Sequence, residues 1–192
     1  MLAAVFRLLA RLPLSWLHSV GSALGWLVYW SSSSYAARLR ENLYASGVCG
    51  SEAQCGTVLR AAVAEAGKGL AELVAVWFGK EENVARLVVE CEHWDVVEAA
   101  RKRGNGILFL TPHLGCFEIS ALYGAQRMPL VVLYRPPKLA WIEPLMIAGR
   151  SRWQAAVAPA NLRGVRMLYK ALARSEAVGL LPDQAPGVGE GT

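Results

Sequence analysis

A histidine and a glutamate five residues apart follow an apolar run in the middle of the chain. The run from Ile107 to Leu110 predicts a short buried strand, Pro112 ends it, and a helical pattern begins near Phe117. On one continuous helix an offset of five residues turns two side chains about 140° apart. His113 is therefore predicted in the loop at the carboxyl end of the strand, with Glu118 reaching back from the helix.

This pair has the residue types of a general base. Imidazole exchanges a proton near neutral pH, and a carboxylate can fix its tautomer and stabilise its protonated form. Chemistry of this kind activates a hydroxyl without a serine or cysteine nucleophile. From these two positions alone a second interpretation stays equally open, in which His113 caps the turn and Glu118 is a solvated helix residue.

Two further polar residues follow predicted strands in the same way. Arg135 comes directly after Leu130 to Tyr134, and Asp183 comes shortly after Val178 to Leu181. Parallel strands bring their carboxyl ends to one edge of a sheet, so His113, Arg135 and Asp183 are predicted to face one crevice. A guanidinium there suits a phosphate or a developing oxyanion. The alternatives are a surface arginine beside a proline turn and an aspartate that caps a turn.

Strand-like and helical segments alternate through the second half of the chain. This alternation predicts an α/β fold with a largely parallel sheet flanked by helices. The predicted helices cover 38–49, 51–78, 94–103, 139–150 and 162–174, and the predicted strands cover 84–90, 107–110, 130–134 and 178–181.

The N-terminal segment carries no Asp, Glu, Lys or Arg from Leu12 to Ala37, and residues 12–30 are mostly apolar. It is long enough to cross a bilayer, which takes about 20 residues. Its polar side chains nevertheless recur every three or four residues, so a helix that lies in the membrane interface, or packs against the catalytic domain, fits the pattern as well as a straight crossing. These polar positions are Arg7, Arg11, Ser15, His18 and Ser22. The predicted division is a membrane-anchoring helix over 1–37 and a catalytic domain over 38–192.

Composition and charge narrow the class of partner. Of the 192 residues, 54% are hydrophobic, and the mean hydropathy of +0.30 is high for a freely soluble protein. The net charge of +5 suits anionic lipid or a phosphorylated substrate. Nucleic acid is not expected as a partner, because the basic residues are scattered. The four cysteines show no C-x-x-C spacing, which predicts reduced thiols and neither a zinc site nor a disulfide.

The blocks around the polar residues resemble the lysophospholipid acyltransferase-like superfamily. Within it they are similar to bacterial lipid A biosynthesis acyltransferases of the lauroyl/myristoyl type, which add secondary acyl chains. The resemblance rests on three ordered blocks, 106–118, 134–137 and 181–186, with weaker similarity at 40–43 and 72–77. Cys116 is a departure, because many members carry Asn there. Members also continue well past the third block, so the chain is expected to be truncated at its C-terminus.

The resemblance implies an acyltransferase at the cytoplasmic face of the bacterial inner membrane. The donor would be acyl-acyl carrier protein, and the acceptor a hydroxyl of a Kdo-bearing, phosphorylated lipid A precursor, without a cofactor or a metal. His113 would act as the base and Glu118 would orient it, while Arg135, Asp183 and Arg150 would bind substrate. Two alternatives stay open, a glycerolipid acyltransferase of the lysophosphatidic acid type and a non-catalytic module that binds anionic membranes.

Overall fold

The computed structural model describes residues 2–183 of the chain. These residues form two compact units, of which one ends at Phe78 and the other begins at Gly79. The predicted division after residue 37 stays a prediction, and the first unit also contains the helices that follow that position. Gln184 to Pro186, the end of the third sequence block, lie outside the described residues.

The first unit consists of helices. They are α1 (Leu2–Leu9), α2 (Leu14–Ser31), α3 (Ser33–Ala45) and α4 (Glu52–Phe78). Pro13 separates α1 from α2, because proline favours a helix start and interrupts a continuing helix. One face of α2 is buried at Leu17, Gly21 and Gly25, and the two glycines lie against the backbone of α4. The long helix predicted over 51–78 is thereby confirmed as α4.

The outward face of α2 is apolar. Trp16, Val20, Leu24, Leu27 and Trp30 recur every three or four residues, and between 49% and 74% of each is exposed. Five large apolar side chains on one helix face form a surface that water solvates poorly. None of the helices within residues 2–183 combines the length and the apolarity that crossing a bilayer requires.

Two cysteines of the first unit are bonded, which corrects the expectation of reduced thiols throughout. Cys49 and Cys55 form a disulfide across the start of α4, with their Cα atoms 5.2 Å apart. That separation lies within the usual range for such bonds. The spacing gave no signal in the sequence because it follows no recognised cysteine framework. Cys91 and Cys116 form no disulfide with any cysteine of the described residues.

The second unit is a parallel α/β sheet, as predicted. Within residues 79–183 four strands have the order β1-β4-β2-β3, and every pair of neighbours is parallel. Helices connect the strands, as parallel neighbours require. The elements are α5 (Glu81–Arg86), α6 (Trp94–Lys102), β1 (Ile107–Leu110), α7 (Glu118–Ala125), β2 (Leu130–Tyr134), a short 3-10 helix (Ala140–Ile142), α8 (Glu143–Arg150), β3 (Ala155–Pro159), α9 (Leu162–Ala173) and β4 (Ala177–Leu180).

Apolar clusters pack on both faces of the sheet, whereas Leu108 and Leu110 of the edge strand β1 are exposed. On one face Leu130 and Val132 pack in a cluster with Ala125 of α7, while Trp94 and Val97 of α6 close its side. The second cluster lies on the opposite face and is formed by α9 with the neighbouring strands. Because β2 is buried on both of its faces, its sequence is a continuous apolar run and does not alternate with polar residues.

Three elements differ from the sequence prediction. The helix predicted over 38–49 is α3, which begins earlier, at Ser33, and ends at Ala45. The strand predicted over 84–90 is wrong, because the chain forms α5 there and continues without regular structure. The helix dipole is stabilised by two acidic residues in the first turn, Glu81 and Glu82, and by Arg86 in the last turn. This stabilisation outweighs the preference of the branched side chains for a strand. The prediction also missed β3, whose alanine-rich sequence has little strand propensity and is held by pairing with β2.

Gly164 sets how closely α9 approaches the end of β3. A Cβ atom at this position would overlap the carbonyl group of Pro159. We therefore expect Gly164→Ala to lower the free energy of unfolding by about 2–3 kcal/mol, because α9 must move off the sheet. Gly69→Ala is the matched control, since a Cβ there meets no atom within 4 Å. Thermal unfolding that ranks the two variants equally stable would contradict this account.

Candidate functional site

Three neighbouring strands end at the site. Because β1, β4 and β2 are adjacent and parallel, the segments that carry His113, Asp183 and Arg135 leave the sheet at the same edge. The pairing of Leu110 with Leu180 aligns the last residues of β1 and β4. This register brings the loop after β1 beside the segment after β4.

The loop after β1 places His113 outside the sheet, as predicted. The backbone N–H of Thr111 still donates to the carbonyl of Leu180, at 3.0 Å, and pairing ends at Pro112. Gly115 has φ +56°, a left-handed conformation that glycine adopts without steric cost. The chain then turns into α7, which begins at Glu118.

Asp183 holds His113 through two hydrogen bonds. The imidazole Nδ1 lies 2.8 Å from Oδ1 of the carboxylate, and the backbone N–H of His113 donates to Oδ2 at 2.8 Å. The backbone hydrogen bond, followed by the side-chain bond, holds the pKa of Asp183 below its usual value. An ionised carboxylate only accepts, so Nδ1 carries the proton and the lone pair is on Nε2. The carboxylate that contacts Nδ1 is therefore that of Asp183, whereas the sequence predicted that Glu118 would orient the imidazole.

Glu118 is paired with Arg150. The guanidinium Nε lies 2.9 and 3.1 Å from the two carboxylate oxygens, and one terminal nitrogen contacts Oε1 as well. Only 6% of the Glu118 side chain and 20% of the Arg150 side chain are exposed. Two parallel N–H···O bonds at a buried carboxylate fix both side chains, and so they tie the first turn of α7 to the end of α8.

We expect Arg150→Met to destabilise this part of the protein strongly. Breaking a buried ion pair by removing one partner costs about 3–5 kcal/mol, because the remaining charge loses its main compensating charge while it stays buried. Hydrogen exchange of peptides from α7 and α8 should accelerate by about 10²- to 10³-fold. The double variant Glu118→Gln/Arg150→Met should lose less stability, because it also removes the negative charge of Glu118. If Arg150→Met exchanges at the wild-type rate, the pair does not hold these helices.

A cavity of about 840 Å³ lies beside these residues in the second unit. His113, Glu118, Arg135 and Arg150 line one part of it. The remaining wall is mainly apolar and includes Trp94, Val97, Phe109, Leu122, Leu130 and Val132. A polar edge beside a large apolar space suits a ligand with a reactive polar end and a long hydrocarbon part.

Tyr134 orders the segment after β2. Its hydroxyl donates to Oε1 of Glu143 at 2.9 Å, which ties the end of β2 to the start of α8. This hydrogen bond, together with burial, raises the pKa of Tyr134, so the phenol stays protonated. Arg135 follows directly, is exposed, and lines the cavity.

Sequence reasoning missed one group of aromatic residues at the cavity. Trp94 and Tyr123 both line it, with ring centroids 5.2 Å apart in an edge-on arrangement. The guanidinium of Arg127 lies 3.6 Å from the Tyr123 ring centroid and donates to the Tyr123 carbonyl. The sequence carried no signal for them as site residues, because aromatic positions on amphipathic helices usually belong to a core.

Fold and site together define an α/β protein whose histidine lies at the carboxyl edge of a parallel sheet. Within that class the profile of one family, described as bacterial lipid A biosynthesis acyltransferase, matches residues 1–191. The chain therefore belongs to the bacterial lipid A biosynthesis acyltransferase family.

Two curated relatives agree with this assignment. A lipid A biosynthesis palmitoleoyltransferase of Escherichia coli (strain K12) is 29% identical over 122 residues, which are 63% of this chain and 39% of that protein. A lipid A biosynthesis acyltransferase of Shigella flexneri matches with the same identity and the same coverage. The chain thus spans about two fifths of the length of these relatives.

Proposed function

We propose that the protein transfers a fatty acyl chain from acyl-acyl carrier protein to a hydroxyl of a Kdo-bearing lipid A precursor. Membership of the family supports the reaction class. The observation that carries the proposal is the geometry of His113, whose imidazole is bonded to the Asp183 carboxylate beside a large apolar cavity. A base at the edge of an apolar space can bring an acyl donor and a hydroxyl together.

The chemical step is direct transfer without a covalent acyl-enzyme. Nε2 of His113 accepts the proton of the acceptor hydroxyl while its oxygen attacks the thioester carbonyl, and Asp183 stabilises the imidazolium. The tetrahedral intermediate collapses, the carbon–sulfur bond breaks, and the imidazolium returns the proton to the leaving thiolate. The products are an ester on the acceptor and a free thiol on the donor.

Other parts of the site bind and position the substrates. The apolar wall of the cavity receives the acyl chain of the donor. Arg135, exposed at the cavity, binds a phosphate of the acceptor or the developing oxyanion. Glu118, held by Arg150, fixes the start of α7 and through it the loop that carries His113.

The first unit supports action at a membrane. The exposed apolar face of α2, from Trp16 to Trp30, has the character of a helix that lies in the bilayer interface. We place the enzyme at the cytoplasmic face of the inner membrane, where both the carrier protein and the lipid acceptor are accessible.

A product-mass assay tests the proposal. The complete protein in detergent is incubated with acyl-acyl carrier protein and, in parallel, with a tetra-acylated Kdo-lipid A precursor or with lysophosphatidic acid. We expect the lipid A precursor to gain the mass of one acyl chain. Transfer to lysophosphatidic acid alone would support a glycerolipid acyltransferase instead. Binding to anionic vesicles with no transfer to either acceptor would support a membrane-binding module.

A further inference from the structure

The outward face of α9 carries two parallel stripes of different chemistry. Gly164, Leu168 and Ala171 are buried on the sheet side of the helix. On the other side an apolar residue followed directly by a cation occurs three times, at spacings of three and four residues. Residues at these spacings lie on one side of a helix, so the apolar side chains form one stripe and the cations form a second stripe beside it. These doublets are Leu162 with Arg163, Val165 with Arg166, and Tyr169 with Lys170.

Both stripes are open to solvent. Leu162 is 78% exposed and Tyr169 71%, which is unusual for side chains of this size, and all three cations are exposed. No acidic residue occurs between positions 162 and 174. Among residues 2–183 the ion pairs present leave these three cations without a carboxylate partner. The face therefore complements an acidic surface that also offers apolar contacts.

The stripes begin beside the site. Ala160, between β3 and α9, lines the cavity, and α9 starts two residues later at the carboxyl edge of the sheet. The N-terminus of α9 adds its partial positive charge at the end nearest the site. A partner bound along α9 could therefore reach into the cavity with a flexible arm of its own.

We infer that the outward face of α9, residues 162–170, is the docking surface for the acidic acyl carrier protein that delivers the donor. This inference rests on the proposed function. The stripes run for about 12 Å, the length of a short helix. Three cations and three apolar side chains bury little area, which suits a carrier that must leave after each turnover.

Charge reversal on α9 tests the inference by direct binding. Labelled acyl-acyl carrier protein is titrated with complete His113→Ala enzyme in detergent, so that no turnover occurs. Adding Arg163→Glu, Arg166→Glu and Lys170→Glu should weaken binding at least about tenfold. The matched control reverses the three exposed cations Arg101, Lys102 and Arg103, and it should bind within about twofold of the parent. Circular dichroism and the melting midpoint verify that both variants are folded.

Turnover separates docking from chemistry. In otherwise wild-type enzyme the α9 variant should show a KM for acyl-acyl carrier protein raised about tenfold, with kcat at saturating donor nearly unchanged. If the α9 variant binds the carrier protein with unchanged affinity and unchanged KM, the inference is overturned. It is also overturned if the variant still binds the carrier protein but no longer binds vesicles of anionic phospholipid. Failure of the wild-type enzyme to transfer from any donor would instead overturn the proposed function, whatever the binding titration shows.

Discussion

Replacing His113 with Ala or Asn is expected to reduce acyl transfer by at least about 10²- to 10⁴-fold, the range attributed to a positioned general base. Both substitutions remove Nε2, the atom that we propose takes the hydroxyl proton. They differ at the other nitrogen, because the Asn amide can still donate to the Asp183 carboxylate. The measurement is the initial rate of product formation at saturating donor and acceptor.

The Asn variant makes this prediction specific to catalysis. If His113 only tied its loop to the segment after β4, Asn would keep that hydrogen bond and preserve activity. Both variants should bind acyl-acyl carrier protein as the wild type does, because His113 does not lie on α9. Activity of His113→Asn within a few fold of the wild type would show that the residue is structural.

Asp183→Asn is expected to reduce kcat by roughly 10³- to 10⁴-fold, in line with the loss found when the aspartate of a serine-protease triad is changed in this way. The amide can present N–H to Nδ1, which shifts the imidazole proton to Nε2 and abolishes the base. Glu176→Gln is the matched control, since Glu176 pairs with Arg174 at the opposite end of β4. An Asp183→Asn enzyme as active as Glu176→Gln would contradict the orienting role.

The charge of Asp183 also has a consequence for pH dependence. Its hydrogen bonds from His113 hold the pKa of the carboxyl below the ordinary value, so the carboxylate stays ionised at mildly acidic pH. The stabilisation from these bonds is complete above the unfolded-state pKa, and it is lost only as the pH falls through the lowered folded-state pKa. The difference in melting midpoint between the wild type and Asp183→Asn should therefore persist at mildly acidic pH and shrink only as the pH falls further. A difference that disappears already at mildly acidic pH would contradict this expectation.

The position of the site was predictable because its signals are local. An apolar run, Pro112 and Gly115 together define a strand, a stop and a turn, which places His113 at the end of β1. The same reasoning found β2 and β4 and brought Arg135 and Asp183 to one edge. Strand–helix alternation was sufficient to predict a parallel sheet, and hence that shared edge.

The pairing of the charged groups was not predictable, because it depends on strand order and helix packing. His113 and Asp183 are 70 residues apart and meet because β4 lies next to β1, which no local pattern encodes. Glu118 and Arg150 meet only through the packing of α7 near α8. The sequence therefore predicted the nearby Glu118 as the carboxylate partner of His113, whereas the structure has the distant Asp183 there.

The central claim is that His113 and Asp183 act as one catalytic unit in acyl transfer. Its most direct test is the initial rate of transfer to the Kdo-bearing lipid A precursor by the wild type, His113→Asn, Asp183→Asn and the double variant. Residues that act as a unit are strongly non-additive, so the double variant should be no slower than His113→Asn alone. Losses that multiply, or transfer that survives His113→Asn, would contradict the claim.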